Sequence, residues 1–374
     1  MKNGLVAVRN GIEQVGYKLL VKPVLFLQDP EDVHDHMMAF GSRLGQYKVS
    51  QKILATFFGF SDPMLSQTIL GKTYSNPVGL AAGFDKNAQL VQVMPSVGFG
   101  FMEVGSVTGK PCEGNAKPRL WRLKKSQSLL VYYGLKNEGC ERIAEKLQSQ
   151  SFQFPLWVSV AKTNSPETVD VTRGVEDYAK AFRTMQTVAD VLVVNISCPN
   201  AYGGLPFTDP ARLEVLLARL AKIDSKKPVF LKLSPDLSVT IVNELLDIAL
   251  KYKVAGVIFA NLTKNRKNNS IKEGHVPENG GMSGKVVEDL SNALIKQVYQ
   301  KAGNKLIIVG CGGVFSSEDA YKKIRLGASL VQLITGMIYQ GPQMVSETNR
   351  GLVKLLQRDG FTHVSQAVGI DASR

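Results

Sequence analysis

From about residue 70 onward the chain repeats one pattern eight times: a short apolar run, a loop rich in Gly, Asn or Ser, and a helical stretch. The apolar runs occupy residues 77–82, 99–104, 156–161, 191–196, 229–233, 256–260, 306–309 and 330–334, and helical patterns include 178–188, 210–221, 238–252, 285–301, 317–326 and 346–357. Short β-branched runs that alternate with helices are typical of parallel strands in β/α units. Eight such units in 374 residues predict a (β/α)8 TIM barrel. The alternative is an open Rossmann-like sheet, although the first unit lacks the G-x-G-x-x-G that opens a dinucleotide-binding helix.

Residues 1–45 differ from the repeats, and we expect them to form a small helical extension to a barrel of residues 46–374. Apolar residues alternate there with Lys and Arg, and Pro23 interrupts the pattern. The stretch 29–32, Asp-Pro-Glu-Asp, is typical of a helix start, and this helix is predicted to end near Gly41. Such a cationic, apolar segment either caps the barrel or lies on a membrane surface. We expect no signal peptide, because no small-residue cleavage site follows the apolar stretch, and no run reaches the roughly 18 apolar residues of a membrane span.

The net charge and the cysteines limit the classes of partner. A formal net charge of +13 favours anionic partners: a small acidic substrate, phosphate, an anionic lipid surface or nucleic acid. The one further nucleic-acid feature is the basic stretch 264–267, which no aromatic residues accompany, so nucleic-acid binding is not expected. The four cysteines lie far apart and the four histidines lack metal-ligand spacing, so we expect neither a disulfide scaffold nor a metal site.

Polar residues follow the predicted strands at the positions where a barrel carries its active site. They are Lys86, Ser106, Ser159 and Lys162, the stretch 195–200, Lys232, Asn261, Gly312-Gly313 and Thr335-Gly336. In (β/α)8 barrels the carboxyl ends of all strands meet at one face, where the catalytic groups lie. We therefore expect these side chains to share one site.

The stretch 195–200, Asn-Ile-Ser-Cys-Pro-Asn, places a thiol between two carboxamides at the end of the fourth strand. A thiol there can act as a base that removes a proton from carbon. Because an unperturbed thiol has a pKa of about 8.5, Cys198 would need activation by nearby positive charge or by the transition state. The alternative is an Asn/Pro turn that contains a small buried cysteine.

The last loops predict a phosphate site and, with two lysines, a flavin site. Gly312 and Gly313 let backbone amides approach a ligand, and the loops after strands 7 and 8 often bind phosphate in such barrels. The stretch 280–284, Gly-Gly-Met-Ser-Gly, follows the sixth strand and is expected to close the same cradle. A mononucleotide such as FMN fits better than a dinucleotide. Lys232 is placed to stabilise negative charge at the flavin ring, and Lys86 to hold an anionic substrate or the flavin.

An ordered set of signatures covers nearly the whole chain, from about residue 17 to 345. They are Asp29-Pro30-Glu31 with His34, the run from Gly79 to Asn87, Gly105 to Thr108, Gly114-Asn115 with Pro118-Arg119, Asn195 to Asn200, Leu231-Lys232 with Pro235-Asp236, Gly280 to Gly284, and Gly312-Gly313. This set resembles the dihydroorotate dehydrogenases, most closely the membrane-associated, quinone-reducing class 2 enzymes. The resemblance implies oxidation of dihydroorotate to orotate in pyrimidine biosynthesis, with FMN as cofactor and quinone as electron acceptor.

The resemblance also implies roles for individual residues. Cys198 would be the catalytic base, and the substrate-binding residues would be Lys86, Asn195, Asn200 and Asn261. The FMN-binding residues would be Ala82, Gly83, Lys86, Ser106, Ser159, Asn195, Lys232, Ser283, Gly284, Gly312, Gly313, Thr335 and Gly336. Residues 1–45 would shape a quinone entrance, lined by His34 and Arg122, on a peripheral membrane protein at the cytoplasmic face or at an organelle membrane.

Five positions depart from the class 2 pattern. Cys198 stands where these enzymes usually carry serine and class 1 enzymes carry cysteine. Val131 replaces an Asn that binds the orotate ring, and Leu262 replaces a hydroxyl residue. Ser159 stands in place of a flavin-binding Asn, and Ile334 in place of a quinone-site Tyr. Each hydrogen bond lost to a buried polar ligand costs about 1–3 kcal/mol.

These departures keep two alternatives open. One is an FMN-dependent oxidoreductase of the same superfamily that acts on a different, less polar substrate. The other is a flavin- or phosphate-binding protein without catalysis, which the retained thiol and the two site lysines disfavour.

Overall fold

The structure, a computed structural model, describes residues 2–152 and 154–372, and its centre is a closed barrel of eight parallel strands. In chain order the strands are β1 (Gln67–Ile69), β2 (Lys72–Tyr74), β3 (Val78–Leu80), β4 (Phe101–Val107), β5 (Leu120–Leu123), β6 (Ser128–Val131), β7 (Leu156–Val160), β8 (Val191–Asn195), β9 (Val229–Leu233), β10 (Gly256–Phe259), β11 (Gly281–Gly284), β12 (Ile307–Cys311) and β13 (Leu330–Leu333). The barrel runs β3-β4-β7-β8-β9-β10-β12-β13 and closes where β13 pairs with β3. Each predicted apolar run overlaps one of the eight barrel strands, so the predicted (β/α)8 barrel is confirmed.

Helices separate the barrel strands as the pattern predicts, except between β3 and β4, where the connection contains only a 3-10 turn, Met94–Val97. The helices are α1 (Lys2–Gly16), α2 (Lys22–Leu27), α3 (Pro30–Gly45), α4 (Lys48–Phe58), α5 (Cys140–Gln148), α6 (Val171–Met185), α7 (Pro210–Leu220), α8 (Val239–Lys251), α9 (Glu288–Ala302), α10 (Ser317–Arg325), α11 (Thr335–Gln340) and α12 (Met344–Arg358). Helix α6 begins before the predicted stretch 178–188 because Asp170 caps it by accepting a hydrogen bond from the Arg173 amide.

Aromatic side chains fill the barrel at the amino ends of its strands. Phe101, Trp157 and Phe230 lie at or next to the first residue of β4, β7 and β9, and all three are fully buried. The Trp157 ring lies 5.2 Å from that of Phe101 and 4.6 Å from that of Phe230, and its Nε1 donates to the Tyr74 hydroxyl at 3.0 Å. With this end filled, the carboxyl ends of the strands form the accessible face of the barrel.

A small antiparallel sheet, β5-β6-β11, supplies side chains to the open end of the barrel. Strand β11 pairs with β6 from Gly281 opposite Val131 to Gly284 opposite Ser128. The sequence pattern does not predict this strand. This glycine-rich stretch has no alternation of apolar and polar residues, and its partner strand lies about 150 residues earlier in the chain.

The N-terminal extension packs on the barrel through polar side chains as well as apolar ones. A π-helical turn, Tyr17–Val21, joins α1 to α2, and Pro23 lies in the first turn of α2, where its missing N–H is tolerated. Arg9 Nη2 donates to Ser346 Oγ at 2.8 Å, and the Tyr17 hydroxyl donates to the Ile338 carbonyl at 2.7 Å. These contacts hold the extension against α11 and α12.

Helix α3 begins where the sequence predicts but ends later. The Asp29 side chain accepts hydrogen bonds from the amides of Glu31 and Asp32, as an N-cap residue does. The helix continues through Gly41 to Gly45, so the predicted end near Gly41 is wrong. Gly41 instead allows close packing, since a Cβ there would lie 2.7 Å from Leu90 Cδ2. Helix α4 then continues the helical part of the chain beyond residue 45.

A buried ion pair joins α3 to the barrel. Glu31 is 3% exposed and Arg119 is 6% exposed, and Arg119 Nη2 lies 2.8 Å from Glu31 Oε1. Arg119 Nε also donates to Glu31 Oε1 and Oε2, at 3.0 and 3.1 Å. Its Nη1 donates to the carbonyls of Glu113 and Asn115. The guanidinium thus fixes both the helix and the loop that follows β4.

Most of the exposed large apolar side chains in the described chain lie on the N-terminal extension and on α4, the helix that follows it. They include Leu5, Val8, Ile12, Val15, Leu19, Leu20, Val24, Leu27, Phe40, Val49, Ile53 and Phe57. Patches of this extent mark surfaces that contact another molecule or a membrane. Among the described residues, no helix combines the length and the apolar character needed to cross a bilayer.

Candidate active site

A cavity opens at the carboxyl ends of the barrel strands, between the barrel, the small sheet and α3. Nearly all predicted site residues line it: Ala82, Gly83, Lys86, Ser106, Asn195, Cys198, Asn200, Lys232, Asn261, Ser283, Gly284, Gly312, Gly313, Thr335, Gly336 and His34. Ser159 and Arg122 are not among the lining residues. The structure therefore brings together side chains from all parts of the barrel.

Hydrogen bonds hold the carboxamides of Asn195 and Asn261 in fixed orientations. Asn195 Nδ2 donates to Ser106 Oγ at 2.8 Å, and Ser106 Oγ lies 2.8 Å from Ser159 Oγ. Asn261 Nδ2 donates to Asn195 Oδ1 at 3.2 Å and to Ser197 Oγ at 2.9 Å. Ser159 is fully buried, so it supports the cavity wall from behind.

Cys198 lies on the loop that leaves β8, with its thiol partly buried in the cavity wall. Burial raises the pKa of this thiol to about 11, against the opposing effects of a backbone hydrogen bond from Asn200 and of the Lys162 and Lys264 charges. The thiol is therefore protonated at neutral pH. A role as base requires either the small thiolate population or proton transfer that is helped by neighbouring charge.

Buried polar atoms without hydrogen-bond partners face the site that a ligand would occupy. Asn200 Nδ2 donates to the Val131 carbonyl at 2.8 Å, whereas Asn200 Oδ1 has no partner within the described chain. The Tyr133 hydroxyl and Gln332 Oε1 are buried and unpartnered in the same way. All three residues line the cavity. Since such groups are rarely left unsatisfied, they indicate a polar ligand.

Lys232 lies at the base of the cavity in a buried ion pair that the sequence analysis missed. Its Nζ lies 3.1 Å from Glu103 Oε2, and the two side chains are 4% and 0% exposed. Gln332 Nε2 donates to the same Glu103 oxygen at 2.8 Å. A glutamate inside the apolar run 99–104 was the signal for this pair, because a charge is rarely buried in a strand without a partner.

Lys86 and His34 lie at the mouth of the cavity, where α3 meets the barrel. Lys86 Nζ lies 4.0 Å from the centre of the Tyr133 ring, and burial lowers its pKa to about 8. Burial, and then the Lys86 charge, lowers the pKa of His34 to about 3, so this imidazole is neutral. The His34 ring packs edge-on against Phe84, 5.1 Å between ring centres. Lys136 also lines the cavity, and its charge lowers the pKa of both Lys86 and His34, so this end of the cavity is cationic.

The phosphate-type cradle is built from left-handed glycines and two hydroxyls. Gly284, Gly312 and Gly313 have φ values of 87°, 105° and 77°, which favour glycine and turn backbone groups toward the cavity. Ser283 Oγ lies 2.8 Å from Thr335 Oγ1. This set of backbone amides and hydroxyls suits a phosphate group.

Arg122 lies outside the cavity lining, against the N-terminal extension. Its Nη1 donates to the Gln28 carbonyl at 2.7 Å, and its guanidinium lies 4.7 Å from the centre of the Phe26 ring. A second part of the cavity wall is apolar and includes Leu120, Leu129, Phe315, Ile334 and Ile338. The cavity therefore has a polar end near the thiol and an apolar end toward α11.

A closed barrel whose cavity combines a thiol, carboxamides, a buried lysine and a phosphate-type cradle defines a flavin-dependent (β/α)8 oxidoreductase. A family model described as dihydroorotate dehydrogenase matches residues 64–356. The chain belongs to the dihydroorotate dehydrogenase family.

Curated relatives and solved structures agree with this assignment. A dihydroorotate dehydrogenase (quinone) of Nitratiruptor sp. is 37% identical over 358 residues, which cover 94% of this chain and 98% of the relative. One of Haloarcula marismortui is 38% identical over 352 residues, with 94% and 98% covered. The structure of Eimeria tenella DHODH in complex with ferulenol matches with a TM-score of 0.83 at 29% identity, covering 95% of this chain and all of that chain.

Proposed function

We propose that this protein oxidises dihydroorotate to orotate with FMN in the barrel and passes the electrons to a quinone. The observation that carries the proposal is the placement of Cys198, three Asn side chains and Lys232 in one cavity with the phosphate-type cradle. The relatives named dihydroorotate dehydrogenase (quinone) support the substrate and the electron acceptor.

The residues around the cradle fit FMN. Gly284, Gly312 and Thr335 suit its phosphate, while Lys232 and the unpartnered Gln332 Oε1 suit the polar edge of its ring. FMN, when bound, supplies the two-electron acceptor for the substrate's hydride. The ammonium of Lys232, already paired with Glu103, provides a fixed positive charge beside that edge.

The substrate half of the reaction is assigned to residues near the thiol. Lys86 provides a positive charge for the carboxylate of the substrate, and Asn200 Oδ1 offers an unused acceptor to a ring N–H. Asn195 and Asn261, fixed by their mutual hydrogen bond, present the other polar contacts. Cys198 then takes the carbon-bound proton of the substrate.

Stopped-flow mixing with dihydroorotate should bleach the bound flavin, at a rate that rises with pH. The thiolate is the proton acceptor, and its fraction grows about tenfold per pH unit below a pKa of about 11. We therefore expect the reduction rate to increase steeply from pH 7 to pH 10. Absence of bleaching at millimolar substrate would overturn the proposed function, and a flat profile would remove Cys198 as the base.

A less polar substrate is the second candidate, because Val131 and Leu262 both line the cavity wall near Asn200. Side chains there contribute no hydrogen bond to a ring. The same stopped-flow experiment separates the candidates: this second one requires slow or unsaturable reduction by dihydroorotate.

For residues 1–45 we propose the role of a quinone- and membrane-facing module attached to the barrel of residues 46–374. The exposed apolar side chains of the extension, interspersed with Lys18 and Lys22, support attachment to an anionic lipid surface. His34 and the apolar end of the cavity would face the quinone, with Arg122 holding the extension beside it. The protein would be a peripheral membrane protein, at the cytoplasmic face of a membrane or at an organelle membrane.

Replacing Leu19, Leu20 and Leu27 with glutamine should lower vesicle binding by about tenfold or more, because these side chains are 70%, 72% and 87% exposed and would be buried in lipid. The measurement is cosedimentation with phosphatidylcholine–phosphatidylglycerol vesicles, followed by reoxidation with a quinone embedded in them. A matched control replaces Val215 and Val239, which are exposed on barrel helices. Equal vesicle binding by both variants would reject the membrane role, and flavin reduction by substrate should not change in either.

A further inference from the structure

Lys162 is a buried lysine beside the loop that carries Cys198, and the proposed reaction gives this lysine no role. It follows β7 at the carboxyl end of the barrel and is 4% exposed. Its Nζ donates to the Tyr202 carbonyl at 2.8 Å and to Thr168 Oγ1 at 3.3 Å, and both acceptors are neutral. A buried ammonium held only by neutral acceptors is costly, so its charge requires another explanation.

The nearby carboxylate of Asp177 is already occupied by other donors. It accepts hydrogen bonds from the Thr163 amide at 2.6 Å and from the Thr163 hydroxyl at 2.9 Å, and a further one from the Gly109 amide. Asp177 therefore serves the loop after β7, and its charge favours the protonated form of Lys162 less than the charge of Cys198 does.

Lys162 and Cys198 each shift the pKa of the other toward its charged form. Of the charged side chains that lower the pKa of the thiol, Lys162 has the largest effect, ahead of Lys264. Cys198 in turn has the largest of the effects that raise the pKa of Lys162 against burial. Lys264 is exposed, so water and salt screen its charge, whereas Lys162 acts through the protein interior.

We infer that Lys162 is the positioning residue of Cys198: its ammonium stabilises the thiolate, and its hydrogen bond to the Tyr202 carbonyl holds the loop that carries the thiol. The inference rests on the proposed function only in taking Cys198 as the base. The thiol gives its proton to solvent, the thiolate accepts the carbon-bound proton of the substrate, and Lys162 stays protonated throughout.

The test follows Cys198 itself in the flavin-loaded enzyme, without substrate. Alkylation by iodoacetamide is measured from pH 7 to 11 by mass spectrometry of the peptide that contains Cys198. Because an opposite charge nearby favours the ionised thiol, Lys162→Met should lower the alkylation rate by about tenfold at each pH between about 7 and 10. This is equivalent to raising the alkylation midpoint, near pH 11 in the native protein, by about one pH unit. Lys162→Arg should restore most of the effect, since it keeps the charge.

Lys323→Met is a matched control. Lys323 is also fully buried, and its Nζ donates to two neutral acceptors, Ser291 Oγ and Asn292 Oδ1. We expect this change to reduce stability without moving the Cys198 midpoint. Where Lys162→Met fails to fold, Lys162→Gln removes the charge and keeps a donor for the Tyr202 carbonyl.

The outcomes separate this inference from the proposed function. An unchanged midpoint in the Lys162 variants, with only a lower melting temperature, would overturn the inference and make Lys162 purely structural. A raised midpoint together with an equal shift in the pH profile of flavin reduction supports both. A raised midpoint with an unshifted reduction profile supports the Lys162–Cys198 pair and rejects Cys198 as the base.

Discussion

Cys198→Ala is expected to slow flavin reduction by dihydroorotate by about 10²–10⁴-fold, the usual contribution of a positioned general base. The variant should still bind FMN, because the cradle residues Gly312, Gly313 and Thr335 follow β12 and β13, away from the loop after β8 that carries Cys198. The measurement is stopped-flow absorbance of the flavin, with flavin content determined from the spectrum of the purified protein.

Cys198→Ser provides the matched control for this change. The serine hydroxyl keeps the approximate size and the hydrogen-bonding capacity of the side chain but has a much higher pKa than the thiol. We therefore expect this variant to reduce flavin slowly, at a rate that still rises with pH at the highest pH that can be measured. Loss of FMN from the alanine variant would contradict the assignment, since it would make Cys198 a structural residue of the cofactor site.

Lys232→Met should lower the free energy of unfolding by about 3–5 kcal/mol, because it leaves the carboxylate of Glu103 buried without its cation. Gln332 would remain as the sole side-chain donor to that carboxylate among the described contacts. The variant should also bind FMN weakly, since the positive charge at the ring edge is gone. Denaturant unfolding and flavin fluorescence measure the two effects separately.

The double variant Lys232→Met/Glu103→Gln separates the structural effect from the effect on the flavin. It removes both charges of the buried pair, so stability should return most of the way to that of the native protein. Flavin affinity and the reduction rate should remain low. Recovery of flavin binding in the double variant would show that Lys232 serves the barrel and not the cofactor.

The barrel could be predicted because strands that are buried on both faces are continuous apolar runs, and because each run is followed by polar residues. That order predicts Lys86, Asn195, Lys232 and Asn261 at one face of the barrel, and all four line the cavity there. The antiparallel sheet β5-β6-β11 could not be predicted in the same way. Its pairing depends on a contact between distant stretches, and its glycine-rich strand has no alternating pattern.

The support for the site was also beyond the sequence pattern. Glu103 and Gln332 lie inside apolar runs, and the sequence pattern gives no partner for a polar residue there. Their mutual hydrogen bond depends on closure of the barrel. Arg122 illustrates the opposite case. The resemblance assigns it to the quinone entrance, but its distance from the cavity lining depends on how α2 packs, which local sequence does not determine.

The buried Glu31–Arg119 pair has a consequence for how such enzymes can be shortened or recombined. Arg119 also donates to the Asn115 carbonyl, and Asn115 Nδ2 donates to the Asn200 carbonyl at 3.0 Å, beside the thiol loop. A truncation that removes α3 would leave a guanidinium without its counter-ion two hydrogen-bonded steps from the substrate site. A chimaera that exchanges the N-terminal helices between relatives must therefore exchange the loop around residues 113–119 with them. In evolutionary terms, the lipid-facing and substrate-facing parts of this chain are constrained to change together.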